Sequence, residues 1–335
     1  MWSMAKRPSV KTGILRVNKE SDRLIENQNT LLLQIYRRAM LQTTRDMRRI
    51  YSRYADDDGV VPASVWNQLE PWEQGYVTRQ RKLQIQIARQ VKEIDAKSLD
   101  TTEKYLTQLY EHSYYGTAYS VQNGLGVALG FDMLSPDRVR AAVLNPTWKI
   151  KWPEQLHKYN IQLSRQAAQT VATGIATGKP YVWMERELRR EWAGVDKNGS
   201  ITGAAAKAQR IARTEGHRAH NTAQSQAADR AQKAGVELQY VWSTAGDGRV
   251  RDFATSETSH VAMNGQVRGE DGMFRSPIGS VGPTPGQMGA AVDDINCRCT
   301  MVISSPASMT AAEKAQFDVF DDQTYDEYVE SLKNG

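Results

Sequence analysis

Of 335 residues only two are cysteines, and both fall in the run Asn296-Cys-Arg-Cys299. Side chains two apart on a strand point to the same face, so Cys297 and Cys299 can reach one metal ion. His260 offers a third ligand and Asp247 or His217 a fourth, a donor set that suits zinc. The same two thiols also suit a core as small buried residues, and that structural reading is favoured over the metal. For nucleophilic catalysis the pair would be one cysteine with His260, but two thiols on one face favour a metal or packing role. His260 also has a plainer reading, as an orienting hydrogen bond inside its domain.

Upstream, Arg213 and Glu215 lie within a helical pattern, where such residues hold neighbouring strands through ion pairs and hydrogen bonds. The functional alternative is an anion site shared with Arg249 and Arg251, although no Gly-rich phosphate cradle accompanies them. Gly178-Lys179 is no phosphate loop, because neither Ser nor Thr follows the lysine. The acids at 56, 57 and 58 read as a solvated turn.

The elements that must position these residues are mostly helices. Leu33, Tyr36, Met40, Met47, Tyr51 and Tyr54 recur at helical spacing and predict an amphipathic helix from about 27 to 54. A second helix is expected after Pro62, broken near Pro71 and running to about 115, with Leu83, Ile87, Val91 and Ile94 as its apolar face. Together they predict a long helical hairpin that needs further helices or a partner to bury its surface. Loop-rich sequence with Pro136, Pro146 and Pro153 follows. Helices are then expected over 154–173 and 182–192, and a long one from about 200 to 234.

In that last helix Ala205, Ala208, Ala212, Gly216, Ala219, Ala223, Ala227 and Ala231 form a ridge of small side chains, which predicts close packing at the centre of its domain. Arg213, His217 and Asn221 share an adjoining polar face. Beyond Gly235 the pattern turns to short strands: 238–243, a hairpin-like stretch over 267–274, and 297–304. The Gly/Pro-rich run 276–294 reads as a mobile loop that becomes ordered against a partner. The fold class is therefore α+β, a mainly helical N-terminal half followed by a small α+β C-terminal module. Its blocks are a basic arm (1–20), a helical domain (21–130), a linker region (131–160), the C-terminal module (161–305) and an acidic tail (306–335) expected as one short helix.

Charge is uneven along the chain. Residues 1–55 carry twelve Lys/Arg against four acids, and the last 26 residues carry seven acids against two lysines. A basic arm holding Lys6, Arg7, Lys11 and Arg16 suits sequence-independent phosphate contact, double-stranded DNA above all. No apolar run is long enough to span a bilayer, and the N-terminus lacks the apolar core of a secretion signal, so a cytoplasmic protein without membrane contact is expected.

The ordered set of Arg213, Thr214, Glu215, Asn221, Trp242, Asp247, Arg249, Arg251, His260, Gly265 and Asn296-Cys-Arg-Cys299 resembles the phage Mu F-like minor head protein family. Related head morphogenesis proteins of tailed phages share this module, and the resemblance covers roughly 160–305, including the turn from Gly174 to Gly178. It implies a minor capsid protein without known catalysis. Such a protein works with the portal and with scaffold or major capsid protein, in the host cytoplasm during assembly and then in the head interior. In this reading Arg213, Glu215, Asn221, Trp242, Arg251 and Asn296 are structural motif residues. Two other classes compete. Modules of this type occur fused to ADP-ribosyltransferases, but the Glu-x-Glu pair here, Glu185 and Glu187, falls in a helical pattern upstream of Arg213. A zinc-dependent nucleic-acid-binding module is the other.

Overall fold

The computed structural model describes residues 7–51, 55–60, 75–144, 151–306 and 309–334. The expectations placed on Lys6, Tyr54, Pro62, Pro71 and Pro146 fall outside them, as do the side chains of Tyr51 and Leu83. The helices are α1 (Val10–Tyr51), α2 (Gly75–Leu125), α3 (Pro136–Leu144), α4 (Trp152–Ala176), α5 (Tyr181–Ala193), α6 (Gly203–Lys233), α7 (Ala291–Asp294), α8 (Ala311–Lys314) and α9 (Tyr325–Asn334). The strands are β1 (Gln239–Ser243), β2 (Phe274–Arg275), β3 (Val281–Gly282) and β4 (Thr300–Ser304). The architecture is α+β and mostly helical.

The chain forms two compact units that interleave along the sequence. One takes residues from Met1–Asn27, Glu103–Lys151 and Ala212–Gly335, the other from Gln28–Thr102 and Trp152–Ile211. Composition breaks mark where the chain turns, whereas packing joins distant segments, so these units do not coincide with the consecutive blocks read from sequence.

In the first unit α1 and α2 run antiparallel and very close. A Cβ on Gly13 would meet Ser120, one on Gly116 would meet Val17, and one on Gly124 would meet Val10. Helix α1 begins at Val10, so the second half of the expected arm is helical. Its buried stripe of Val10, Ile14, Val17 and Ile25 supplies the reason. Helix α6 packs its small residues inward: Ala212, Ala219, Ala223, Ala227 and Ala231 are buried. A buried polar chain threads the same region. Asn18 Nδ2 donates to the Met301 carbonyl at 3.0 Å, and its Oδ1 accepts from Gln224 Nε2 at 2.7 Å and faces His220 Nε2 at 3.1 Å. Strand β1 pairs with β4 antiparallel, Trp242 opposite Met301, and residues 265–268 bond to the other edge of β1. β2 and β3 form a short hairpin. The acidic tail holds two helices, not one, because they are separated by an extended stretch. There Val319 bridges to Val127 and Tyr119 Oη donates to the Gln323 carbonyl at 2.7 Å.

In the second unit the stripe of α1 continues through Leu32, Tyr36, Met40 and Met47, with Leu32 taking the buried position expected of Leu33. Tyr36 Oη donates to Asn160 Oδ1 on α4 at 2.6 Å, and Asn160 Nδ2 donates to Asp95 on α2 at 2.9 Å. Helices α4 and α5 pack together, and Trp192 at the end of α5 is fully buried. Gly178, in the left-handed region at φ 62°, ends α4.

Side chains crowd the backbone of α6 at Gly216, where a Cβ would lie 2.0 Å from Tyr105 Oη and 3.3 Å from Ile25 Cγ1. Alanine is the better helix former by about 1 kcal/mol, but forcing a methyl into a filled core costs about 1–3 kcal/mol. Gly216→Ala is therefore expected to lower the urea midpoint, and Tyr105→Phe in the same chain to restore part of the loss. A midpoint unchanged by Gly216→Ala would contradict this packing.

Candidate functional site

The site lies in the first unit, between the polar face of α6 and the segment 242–300. Its centre is His260 with Cys297 and Cys299, all three buried and with ligand atoms within 4.8 Å of one another. His260 Nδ1 is 3.6 Å from Cys297 Sγ and 3.4 Å from Cys299 Sγ. The cysteines are not strand residues as read from sequence. They precede β4 in a short irregular stretch that follows a turn at Ile295 and Asn296, and the Asn296 φ of 61° is left-handed, a conformation asparagine tolerates. The turn brings both sulfurs to one imidazole, and the Cys299 N–H donates to Cys297 Sγ at 3.4 Å.

Each motif residue has a positioning job. On α6, Arg213 Nη1 donates to Asn296 Oδ1 at 2.9 Å and Thr214 Oγ1 accepts the Asn296 N–H at 2.8 Å. Asn221 Nδ2 donates to the carbonyls of Pro285 and Cys299, at 3.1 and 3.0 Å. Glu215 pairs with Arg218 at 2.7 Å, and Arg218 reaches the Ala142 and Val143 carbonyls in the last turn of α3. Trp242 on β1 meets the His260 ring edge-on at 5.5 Å and closes the cluster on that side. Arg251 bonds the Asp293 and Ile295 carbonyls, while its own carbonyl accepts the His260 N–H at 3.0 Å. That last bond closes the long interval between Arg251 and His260 into a loop.

Asp247 stands apart from the cluster. Its carboxylate is held by Arg298 at 2.7 Å and by Arg249 at 3.0 Å, and the Arg298 bond keeps its pKa well below the carboxylate range. The carboxylate that does meet His260 is Asp293, with Oδ1 at 3.3 Å from Nε2 and fixed by Thr258 Oγ1 at 2.7 Å. Asp293 is not among the ligands expected from sequence, and its one trace there is an acidic pair shortly before the first cysteine. The loop 276–294 finds partners within the chain. Asn221 holds Pro285, and Asp294, its pKa raised to about 6 by burial, accepts the N–H groups of Met288 and Gly289. Arg213, Arg249 and Arg251 each have intramolecular partners, which favours the structural reading of these arginines over a shared anion site.

Burial pulls the His260 pKa down, but the bond and charge of Cys297 and the bond of Asp293 carry it above its ordinary 6.5. The hydrogen bond from Cys299 holds the Cys297 thiol well below its usual range, and burial opposes that shift. Cys299 is pushed the other way, first by Cys297 and then by burial. A cavity of about 170 Å³ adjoins the cluster, lined by His260, Cys297 and Cys299 together with Arg249, Arg251 and Arg298.

Residues 165–302 match the family described as Phage Mu protein F like protein. Minor head protein GP7 of Bacillus phage SPP1 is 26% identical over 90% of this chain and 89% of its own length. NAD(+)--arginine ADP-ribosyltransferase EFV of Enterococcus faecalis is 25% identical over 60% of this chain, which spans 38% of that relative. No solved structure matches the chain.

His217, on the same α6 face, gives a test of this burial. Burial, with the charges of Arg213 and Arg298, lowers its pKa from 6.5 to about 3. The unfolded chain therefore takes up a proton at His217 as pH falls through 6.5 while the fold does not, so this contribution is complete above 6.5 and is lost towards 3. Asp22 and Asp294, raised to about 6, work in the opposite direction between 3.8 and 6. Comparing wild type with His217→Leu isolates the histidine. The stability of wild type relative to the variant should fall with acid, and a constant difference from pH 6.5 to 3 would contradict a neutral buried His217. The match over residues 165–302 covers Arg213, Asn221, Trp242, Arg251, His260 and Asn296-Cys-Arg-Cys299, so the residues that build the site all lie in the segment similar to Phage Mu protein F like protein.

Proposed function

We propose that this chain is a minor head protein of a tailed phage and acts in head morphogenesis, associated with the portal and with scaffold or major capsid protein. The observation that carries the reading is the similarity to Minor head protein GP7, which spans nearly the whole of both chains, together with the family match over 165–302. The residues of the module support a scaffolding role. Arg213, Asn221, Arg251 and Asn296 brace loops, Trp242 packs on His260, and Glu215 pairs with Arg218 on its own helix, so each has a partner inside the chain.

Contact with packaged DNA is the finer part of the proposal. Lys11 and Arg16 lie exposed on the first turns of α1, with Lys19 and Arg23 following, a row suited to phosphate contact. Arg7 is less free, because its Nη2 donates to the Phe320 carbonyl at 2.8 Å in the acidic tail. No helix among the described residues is long and apolar enough to cross a membrane.

An enzymatic reading has one finding in its favour, the similarity to the ADP-ribosyltransferase EFV. Glu185 and Glu187 do not support it. They are on helix α5, where residues two apart diverge, and they pair with Arg189 and Arg190 at 2.5 Å each.

Purified heads assembled with and without the gene decide the main reading. The chain should be found by mass spectrometry in heads that contain portal, and heads without it should form in lower yield. Heads that lack the chain and assemble normally would refute it. Binding to random-sequence DNA should weaken steeply with salt. Lys11→Ala with Arg16→Ala should make the slope of log K against log salt shallower by about 0.9 for each phosphate no longer neutralised. A salt-independent affinity would contradict the DNA contact.

A further inference from the structure

We propose that His260, Cys297 and Cys299 form a zinc site whose fourth position opens to the arginine-lined cavity and is filled by solvent. The distances fit the metal. Tetrahedral zinc, with bonds of about 2.3 Å to sulfur and about 2.0 Å to nitrogen, places sulfur and nitrogen about 3.5 Å apart. The two measured separations are 3.6 and 3.4 Å, one on each side of that value.

Valence points the same way. His260 Nε2 faces Asp293 Oδ1 at 3.3 Å and is the nitrogen that carries the proton there, which leaves Nδ1 a single lone pair. Two sulfurs stand at near-equal distance from that one nitrogen. A hydrogen bond uses the lone pair once, whereas a cation between the three atoms is bound by all of them.

The surroundings are those of a metal ligand shell. The Asp293–His260 contact is the carboxylate–histidine arrangement that fixes tautomer and ring orientation, and Thr258 in turn fixes Asp293. Asn221 anchors the Cys299 carbonyl, and the Cys299 N–H donates to Cys297 Sγ, so the turn carrying both thiols is already in place. Two thiolates and a neutral imidazole around Zn²⁺ sum to zero charge, the state a buried cluster tolerates best. Binding releases the thiol protons to solvent, and no oxidant or reductant is involved.

The fourth position follows from what closes each side. Trp242 covers the imidazole edge-on, and Asp247 is taken up by Arg298 and Arg249. The cavity of about 170 Å³ is bounded by all three ligand residues, so the open side of the cluster faces it. Three protein ligands with one accessible position distinguish this site from a closed four-ligand structural zinc.

The test uses the full chain, purified without chelators from zinc-supplemented medium. Elemental analysis should return about one equivalent of zinc per chain, retained in Asp247→Asn and lost in Cys297→Ser with Cys299→Ser. Because the cysteine variants can fail to fold, a cobalt titration of the metal-stripped wild type provides the second reading. Tetrahedral cobalt bands with thiolate charge transfer should saturate at one equivalent, and added azide should shift them by entering the open position. A zinc content below about 0.1 equivalent with a featureless cobalt titration overturns the site. Loss of zinc in Asp247→Asn, or bands unmoved by azide, overturns the open fourth position.

Discussion

Helix α6 has to satisfy two demands at once, and the first unit depends on its doing so. One side must be narrow enough for other backbones to lie against it, which is why Ala212, Gly216, Ala219, Ala223, Ala227 and Ala231 occupy it and why Tyr105 comes so near Gly216. The adjoining side must supply hydrogen bonds to a segment with little regular structure. A buried carbonyl without a partner costs about 1–3 kcal/mol, so the loop 285–299 can fold against α6 only if the helix answers its polar groups one by one. Arg213, Thr214 and Asn221 do this for Asn296, Pro285 and Cys299. A helix with larger residues on the first side, or apolar ones on the second, would leave the loop without a seat.

The cluster of His260, Cys297 and Cys299 is the outer end of the same arrangement. Its three residues come from two loops, and each loop is fixed from outside. The His260 loop is closed by the carbonyl of Arg251 and by Asp293, and the cysteine turn by Thr214 and Asn221 of α6. The site is thus built by hydrogen bonds to loop backbone, not by strands. This division of labour explains why most of the module's motif residues are polar and scattered along the chain.

Much of this is legible in the residues alone. Tyr36, Met40 and Met47 announce α1 because a buried stripe on a long helix has a period, and the Ala/Gly ridge announces α6 for the same reason. The meeting of His260 with the two cysteines is legible from their chemistry. Less accessible is everything set by partners far along the chain. Alternation across 297–304 continues into β4 and so puts the cysteines on a strand, while the turn at Asn296 is imposed by Arg213 and Thr214, about eighty residues away. Sequence offers Asp247 as a ligand beside His260 and passes over Asp293, since nothing local reveals that Arg298 takes the one and His260 meets the other. The arm beyond Val10 reads as irregular because most of its side chains are polar, while its helix is held against Gly116, Ser120 and Gly124 of α2, about a hundred residues along the chain.

Whether α6 holds the cysteine turn in place is measured most directly by hydrogen exchange on the intact chain with Asn221→Leu. The variant removes the bonds to Pro285 and Cys299 without adding a charge. Amides of 285–299 should exchange much faster while those of α6 between Ala212 and Ala231 stay protected. Equal protection of 285–299 in variant and wild type would show that the turn is held by something other than the polar face of α6.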